Sequence, residues 1–140
     1  MKLSPAAELA IRGILVLAGE DDSTPIPLKE ICQRRDLPRE YLVKIFSMLT
    51  KAGLVTPIRG KKGGYVLARS PEDISLLEVI EAVEGRISLN YCQHDPPQCD
   101  EDDCLVRPIW TELQHIVRDK LASSSLAEVC PRTTGKRRRA

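Results

Sequence analysis

A mainly α fold carrying one small β-hairpin is what the 140-residue sequence predicts. Apolar residues recur at helical spacing through most of the chain, and glycine or proline punctuates nearly every boundary. A single stretch, residues 54–67, instead places two short β-prone runs around a glycine and lysine tip.

Ser4-Pro5 supplies an N-cap and a first-turn proline, and Ala6, Ala7, Ala10, Ile11, Ile14 and Ala18 continue at helical spacing, so a first helix is expected over residues 5–18, ended by Gly19. A turn-rich connection follows over 21–27. A short second helix over 28–34 turns Leu28, Ile31 and Cys32 inward, and Asp36-Leu37-Pro38 reverses the chain. From residue 38 to 52, Leu42, Ile45, Phe46 and Leu49 mark one face, while Glu40, Lys44, Ser47 and Lys51 fall on the other; Gly53 ends this third helix. The hairpin comes next, with Arg59-Gly60-Lys61-Lys62-Gly63-Gly64 at its tip. Ser75-Leu76-Leu77-Glu78 is a capping-box sequence opening a fourth helix that Gly85 closes. A long helix is expected from Pro108 to about residue 123, with Ile109, Leu113, Ile116, Val117 and Leu121 along one side and Trp110 beside them. Ser125-Leu126-Ala127-Glu128 repeats the capping box for a last turn, before Lys136-Arg137-Arg138-Arg139. No internal repeat is visible.

Two helices on a tight turn, a support helix before them and a basic-tipped hairpin after them follow the order of a winged helix-turn-helix. The division expected is a winged helix-turn-helix domain over 1–85, a cysteine-containing loop over 86–107, a long dimerisation helix and short terminal helix over 108–130, and a basic flexible tail over 131–140.

Net charge is only +1, but it is unevenly distributed. Between Lys29 and Arg69 stand ten Lys/Arg against three Asp/Glu; between Glu72 and Cys104 stand one Arg and ten Asp/Glu. A basic block beside an acidic one fits an anionic partner at the first and a cation at the second, against the plainer reading of two solvated faces. No apolar run approaches the roughly 20 residues of a membrane helix. The N-terminus lacks the pattern of a secretory signal, so a cytoplasmic protein with reduced cysteines is expected.

On the basic block, the third helix would lie in the major groove of double-stranded DNA. Arg39, Glu40 and Val43 are then the candidates for base reading, and Lys44, Ser47 and Lys51 for phosphate contact. At the wing, Arg59, Lys61 and Lys62 bring charge and Gly60 permits close backbone approach. In the acidic block, Cys92, Cys99 and Cys104 are soft metal ligands spaced by gaps of six and four residues. Alone they admit an iron–sulfur cluster, thiol redox chemistry, or zinc, for which His94 would complete a Cys₃His set.

At these residues the chain resembles the bacterial IscR/NsrR/RirA family of winged-helix iron–sulfur transcription regulators, over nearly its whole length. The matching features are Met1-Lys2-Leu3-Ser4, Tyr41-Leu42 with Phe46-Ser47, Gly53-Leu54-Val55, Arg59-Gly60, Gly63-Gly64-Tyr65 and the three cysteines before a long helix. The resemblance implies a homodimer that binds an imperfect palindrome under control of a cluster. Members similar to IscR place a histidine three residues after the last cysteine, where this chain has Arg107, which cannot serve. Members similar to NsrR use an aspartate in the first helix of the partner subunit, where this chain has Glu8. The resemblance therefore implies a [4Fe-4S] cluster, in preference to [2Fe-2S], on Cys92, Cys99, Cys104 and Glu8 of the partner subunit. The six-and-four spacing departs from the family's commoner five to seven followed by five.

Glu8 has a simpler alternative as a surface pair with Arg12, four residues on. Cys32 is expected in the core, and Cys130 to stand alone and unligated. The function expected is a transcription regulator, most simply a repressor, sensing iron–sulfur, redox or nitric oxide status. The alternatives are a zinc-bound or metal-independent repressor sensing a metabolite or thiol oxidation, and a small redox enzyme. Against an enzyme stands the lack of a Cys-x-x-Cys, a nucleotide-binding glycine loop or a Ser/His/Asp grouping.

Overall fold

The computed structural model describes residues 2–21 and 23–130. Six α-helices and one hairpin follow in the order α1 (Pro5–Ala18), α2 (Leu28–Arg35), α3 (Arg39–Lys51), β1 (Val55–Ile58), β2 (Gly64–Leu67), α4 (Leu76–Glu84), α5 (Arg107–Ala122) and α6 (Leu126–Val129). Single 3-10 turns occupy Pro71–Asp73 and Tyr91–Gln93. The expected basic tail, 131–140, and Met1 of the family-like opening lie outside the described residues.

α1 is the hub. Ser4 caps it by accepting the Ala7 N–H at 3.2 Å, and Ala7, Ala10, Gly13, Ile14, Val16, Leu17 and Ala18 are all buried. Burial this far around the helix follows from its packing against α2, α3 and α4 at once. Gly13 allows the α3 contact, because a Cβ there would lie 2.8 Å from Phe46 Cε2.

α2 and α3 meet at a three-residue turn whose hinge is Asp36, at φ 51°. Aspartate tolerates this left-handed conformation better than most side chains, and the Leu37 N–H returns to the Cys32 carbonyl at 2.9 Å. After α3 the chain passes through Gly53, at φ 74°, into the hairpin, which pairs Val55 with Leu67 and Ile58 with Gly64. Ile26 adds a bridge to Tyr65 through two backbone hydrogen bonds of 3.0 and 2.9 Å, so the wing is fastened to the loop before α2. Gly64 makes this approach possible, since any Cβ there would run into the Ile26 backbone. Tyr65 stacks edge-on against Phe46, with ring centroids 4.8 Å apart.

Both predicted capping boxes form. Ser75 and Glu78 cap α4 reciprocally at 3.2 and 3.0 Å, and Ser125 and Glu128 cap α6 at 3.2 and 3.3 Å. The two caps lie side by side: the Leu76 N–H donates to the Ser124 carbonyl and the Leu126 N–H to the Ile74 carbonyl, each at 2.9 Å. Leu126 thereby enters the same core as Ile14, Phe46 and Val79.

α5 leaves part of its apolar stripe open. Ile109 and Ile116 are 54% and 55% exposed, and the one fully buried position of the helix is Gln114. Among the described residues no helix is long and apolar enough to cross a membrane.

Candidate nucleic-acid interface and cysteine loop

α3 divides cleanly into two faces. Leu42, Ile45, Phe46 and Leu49 are buried, while Arg39, Glu40, Val43, Lys44, Ser47 and Lys51 are all exposed. At the wing, Arg59, Gly60, Lys61 and Lys62 are exposed as well, on a turn in which the Gly63 N–H reaches the Gly60 carbonyl at 3.0 Å. Gly60 sits at φ 116°, a conformation costly for a residue with a Cβ.

Charge is left free on this face. Among the described residues, ion pairs engage Arg34, Arg69, Arg86 and Arg118, whereas Arg39, Lys44, Lys51, Arg59, Lys61 and Lys62 enter none. Arg34 instead joins α2 to the end of α1 through Glu20 at 2.6 Å and pairs with Glu30 at 2.5 Å. Burial alone would lower its pKa, but these two carboxylates outweigh it and raise it. Tyr41, part of the family resemblance but absent from the contact candidates drawn from helical patterning, is 63% exposed on the first turn of α3 beside Glu40. Its signal is an aromatic among the exposed residues Arg39, Glu40, Val43 and Lys44.

The cysteine loop joins α4 to α5. Cys92 lies in the 3-10 turn Tyr91–Gln93, and Cys92, Cys99 and Cys104 are all half-buried free thiols. The loop is held by its own backbone and by α5. The Gln98 N–H donates to the Tyr91 carbonyl at 2.8 Å, and Gln93 Nε2 donates to Thr111 Oγ1 at 3.0 Å and lies 3.5 Å from Cys92 Sγ. Arg107 donates through Nη2 to the Glu101 carbonyl. Its Nε is buried without an acceptor among the described residues, an unused donor three residues from Cys104. His94 packs against the Tyr91 ring at 5.6 Å, and Asp100, Glu101, Asp102 and Asp103 are exposed.

Within one chain these donors share a loop but not a point. Among the described residues no group of three or more His, Cys, Asp and Glu is gathered to hold a metal ion. Glu8 is exposed on α1 and joins no ion pair with Arg12, so the simple surface pair does not form. The donor chemistry nonetheless fits a soft metal or an iron–sulfur cluster: three free thiols on one tethered loop, with an unused N–H close by.

The other two cysteines are packed. Cys32 is in the core, where burial pushes its thiol pKa up. Cys130 does not stand alone; it is half-buried at the end of α1, with Sγ 3.8 Å from the Leu15 carbonyl oxygen.

Gln114 is the only buried polar side chain among the described residues, and it is fully engaged by the segment leading into the loop. Its amide donates to the Ile87 carbonyl at 2.6 Å and accepts the Leu89 N–H at 2.9 Å. Beside it Arg118 grips Glu81 of α4 at 2.8 and 3.1 Å, and Glu81 accepts the Ile87 N–H at 2.9 Å.

Comparison with known proteins places this architecture. Residues 3–132 match the family model Rrf2, described as an iron-dependent transcriptional regulator. The chain is 33% identical over 133 residues to a putative HTH-type transcriptional regulator, ORF2, of Azotobacter vinelandii, covering 95% of this chain and 81% of that one. It is 34% identical over 129 residues to the HTH-type transcriptional regulator IscR of Xenorhabdus nematophila, covering 92% and 79%. Among solved structures, CymR, the global cysteine regulator of B. subtilis, superposes with a TM-score of 0.81 at 31% identity over 96% of this chain and 99% of that one. IscR of T. potens superposes with a TM-score of 0.76 at 29% identity over 92% and 85%.

Proposed function

The chain belongs to the Rrf2 family of transcriptional regulators, and from that premise we propose that it is a cytoplasmic homodimer whose occupancy of an imperfect DNA palindrome is set by an iron–sulfur cluster. Cys92, Cys99, Cys104 and Glu8 of the partner subunit would hold it, with [4Fe-4S] the form that the resemblance to NsrR-like members implies. The observation carrying this is the set of three free thiols on a loop fastened to α5, the helix whose apolar stripe at Ile109 and Ile116 is left exposed. A second chain covering that stripe would account for its exposure.

On DNA, α3 enters the major groove with Arg39, Glu40 and Val43 at base edges, while Lys44, Ser47 and Lys51 meet phosphate. Tyr41 adds a hydroxyl to the same contact. Arg59, Gly60, Lys61 and Lys62 of the wing follow the backbone or enter the minor groove. A cluster that binds one DNA-binding state better than another shifts occupancy by that difference, and about 1.4 kcal/mol is a tenfold effect.

A second reading is a repressor that responds to thiol oxidation or a metabolite, with zinc or no metal on the same cysteines. Similarity to the cysteine regulator CymR supports it. Anaerobic purification with visible spectroscopy, iron and sulfide assays and operator binding separates the two. The cluster form should be coloured, lose its absorbance in Cys99→Ser, and bind operator with an affinity different from the apo form. A colourless protein with one zinc per chain, or equal operator affinity with and without cluster, sinks the first reading.

A further inference from the structure

The inward face of α5 is polar, and each residue along it grips the segment that carries the cysteines. Arg107, Thr111, Gln114 and Arg118 follow one another at intervals of four, three and four, which makes them one helical stripe. Arg107 holds the Glu101 carbonyl, Thr111 accepts from Gln93 Nε2 at 3.0 Å, and Gln114 takes both the Ile87 carbonyl and the Leu89 N–H. Arg118 reaches the Ile87 carbonyl at 3.5 Å while paired with Glu81. Cys92 therefore lies between two anchor points on a single helix, Leu89 and Gln93. A solvated polar face does not explain this arrangement, because Gln114 is 4% exposed and both ends of its amide are spent on backbone groups of the segment leading into the loop.

We infer that Thr111 and Gln114 are the positioning residues of the cysteine loop. They fasten residues 87–93 to α5 and fix where the Cys92 sulfur stands relative to that helix. Displacement of the limb is then passed to α5 directly and to α4 through the shared Glu81–Arg118 pair. What the sulfur holds rests on the function proposed above; the clamp itself does not.

The test is alkylation of the full-length apo protein with iodoacetamide, following each cysteine by mass spectrometry in wild type, Thr111→Val, Thr111→Ser and Gln114→Met. Removing one tether should raise the Cys92 rate relative to Cys99 roughly two- to tenfold, the net worth of one hydrogen bond. Thr111→Ser, which keeps the hydroxyl, should return the wild-type ratio, and buried Cys32 should stay protected throughout. After anaerobic reconstitution with iron and sulfide, the two tether-cutting variants should also bleach faster under a chelator. An unchanged Cys92 to Cys99 ratio in the folded variants overturns the clamp. If wild type takes up no iron and sulfide, the cluster reading falls while the alkylation ratio still decides the clamp. If Gln114→Met does not fold, the Thr111 pair decides alone.

Discussion

Two glutamates on α4, Glu78 and Glu81, are half-buried, and desolvation by itself would hinder their ionisation. For Glu81 that penalty is outweighed by the Arg118 guanidinium and the Ile87 N–H, and for Glu78 by Arg69 and the Ser75 cap, so both carboxyls are held below the ordinary range. A carboxyl with a lowered folded pKa contributes stability that is complete above the unfolded value, about 4.3, and is lost as pH falls through the folded value. Thermal unfolding should therefore show Tm falling as the solution is acidified below that point, with a shallower fall in Glu81→Gln. At neutral pH that variant should lose about 1 kcal/mol, as expected of a partly exposed charged hydrogen bond, and an identical acid profile would exclude the role assigned to Glu81. At this scale the sequence is most legible where the interaction is local. The Ser4, Ser75 and Ser125 caps are written within four residues of themselves, whereas the pairing of Glu81 with Arg118 spans 37 positions and leaves no local trace.

Among the elements, α3 and the hairpin are legible ahead of the fold because one periodicity decides each. Leu42, Ile45, Phe46 and Leu49 fall on one side of a helix in any context, and the glycines around Lys61 and Lys62 permit one kind of turn. Replacing Lys61 and Lys62 together by alanine should weaken binding to every DNA sequence alike. It should also reduce the salt slope of binding by about 2 for each subunit on the DNA, close to 0.9 for each phosphate no longer neutralised, and so by nearly twice that for the proposed dimer; an unchanged slope would take the wing out of the interface. α5 is harder to read. Its apolar spacing identifies a helix, but the side that turns inward is the one whose polar groups find backbone partners in the cysteine loop, and those partners come from an irregular segment with no periodicity.

For the molecule as a whole, a single core runs from α1 through the hairpin to Leu126, while α5 and the loop before it carry a set of exposed apolar side chains: Tyr91, Leu105, Val106, Ile109 and Ile116. Under the dimer proposed above, these are the side chains a second copy of the chain would cover. Ile109→Glu combined with Ile116→Glu should shift sedimentation toward monomer without unfolding the chain. Affinity for a palindrome should fall by at least roughly tenfold while half-site binding persists, the signature of abolished bivalency. A dimer that survives both substitutions would place the interface elsewhere. The sequence by itself determined the helices, the hairpin, the caps, the separation of basic from acidic surface and the identity of the thiols, because each depends on neighbours in the chain or on side-chain chemistry alone. Only the tertiary structure decided that Cys130 packs under α1, that Glu8 and Arg12 form no ion pair, and that Gln114 and Thr111 secure the limb carrying Cys92. Those outcomes depend on which distant backbone groups come within hydrogen-bond reach, a condition that no local pattern encodes.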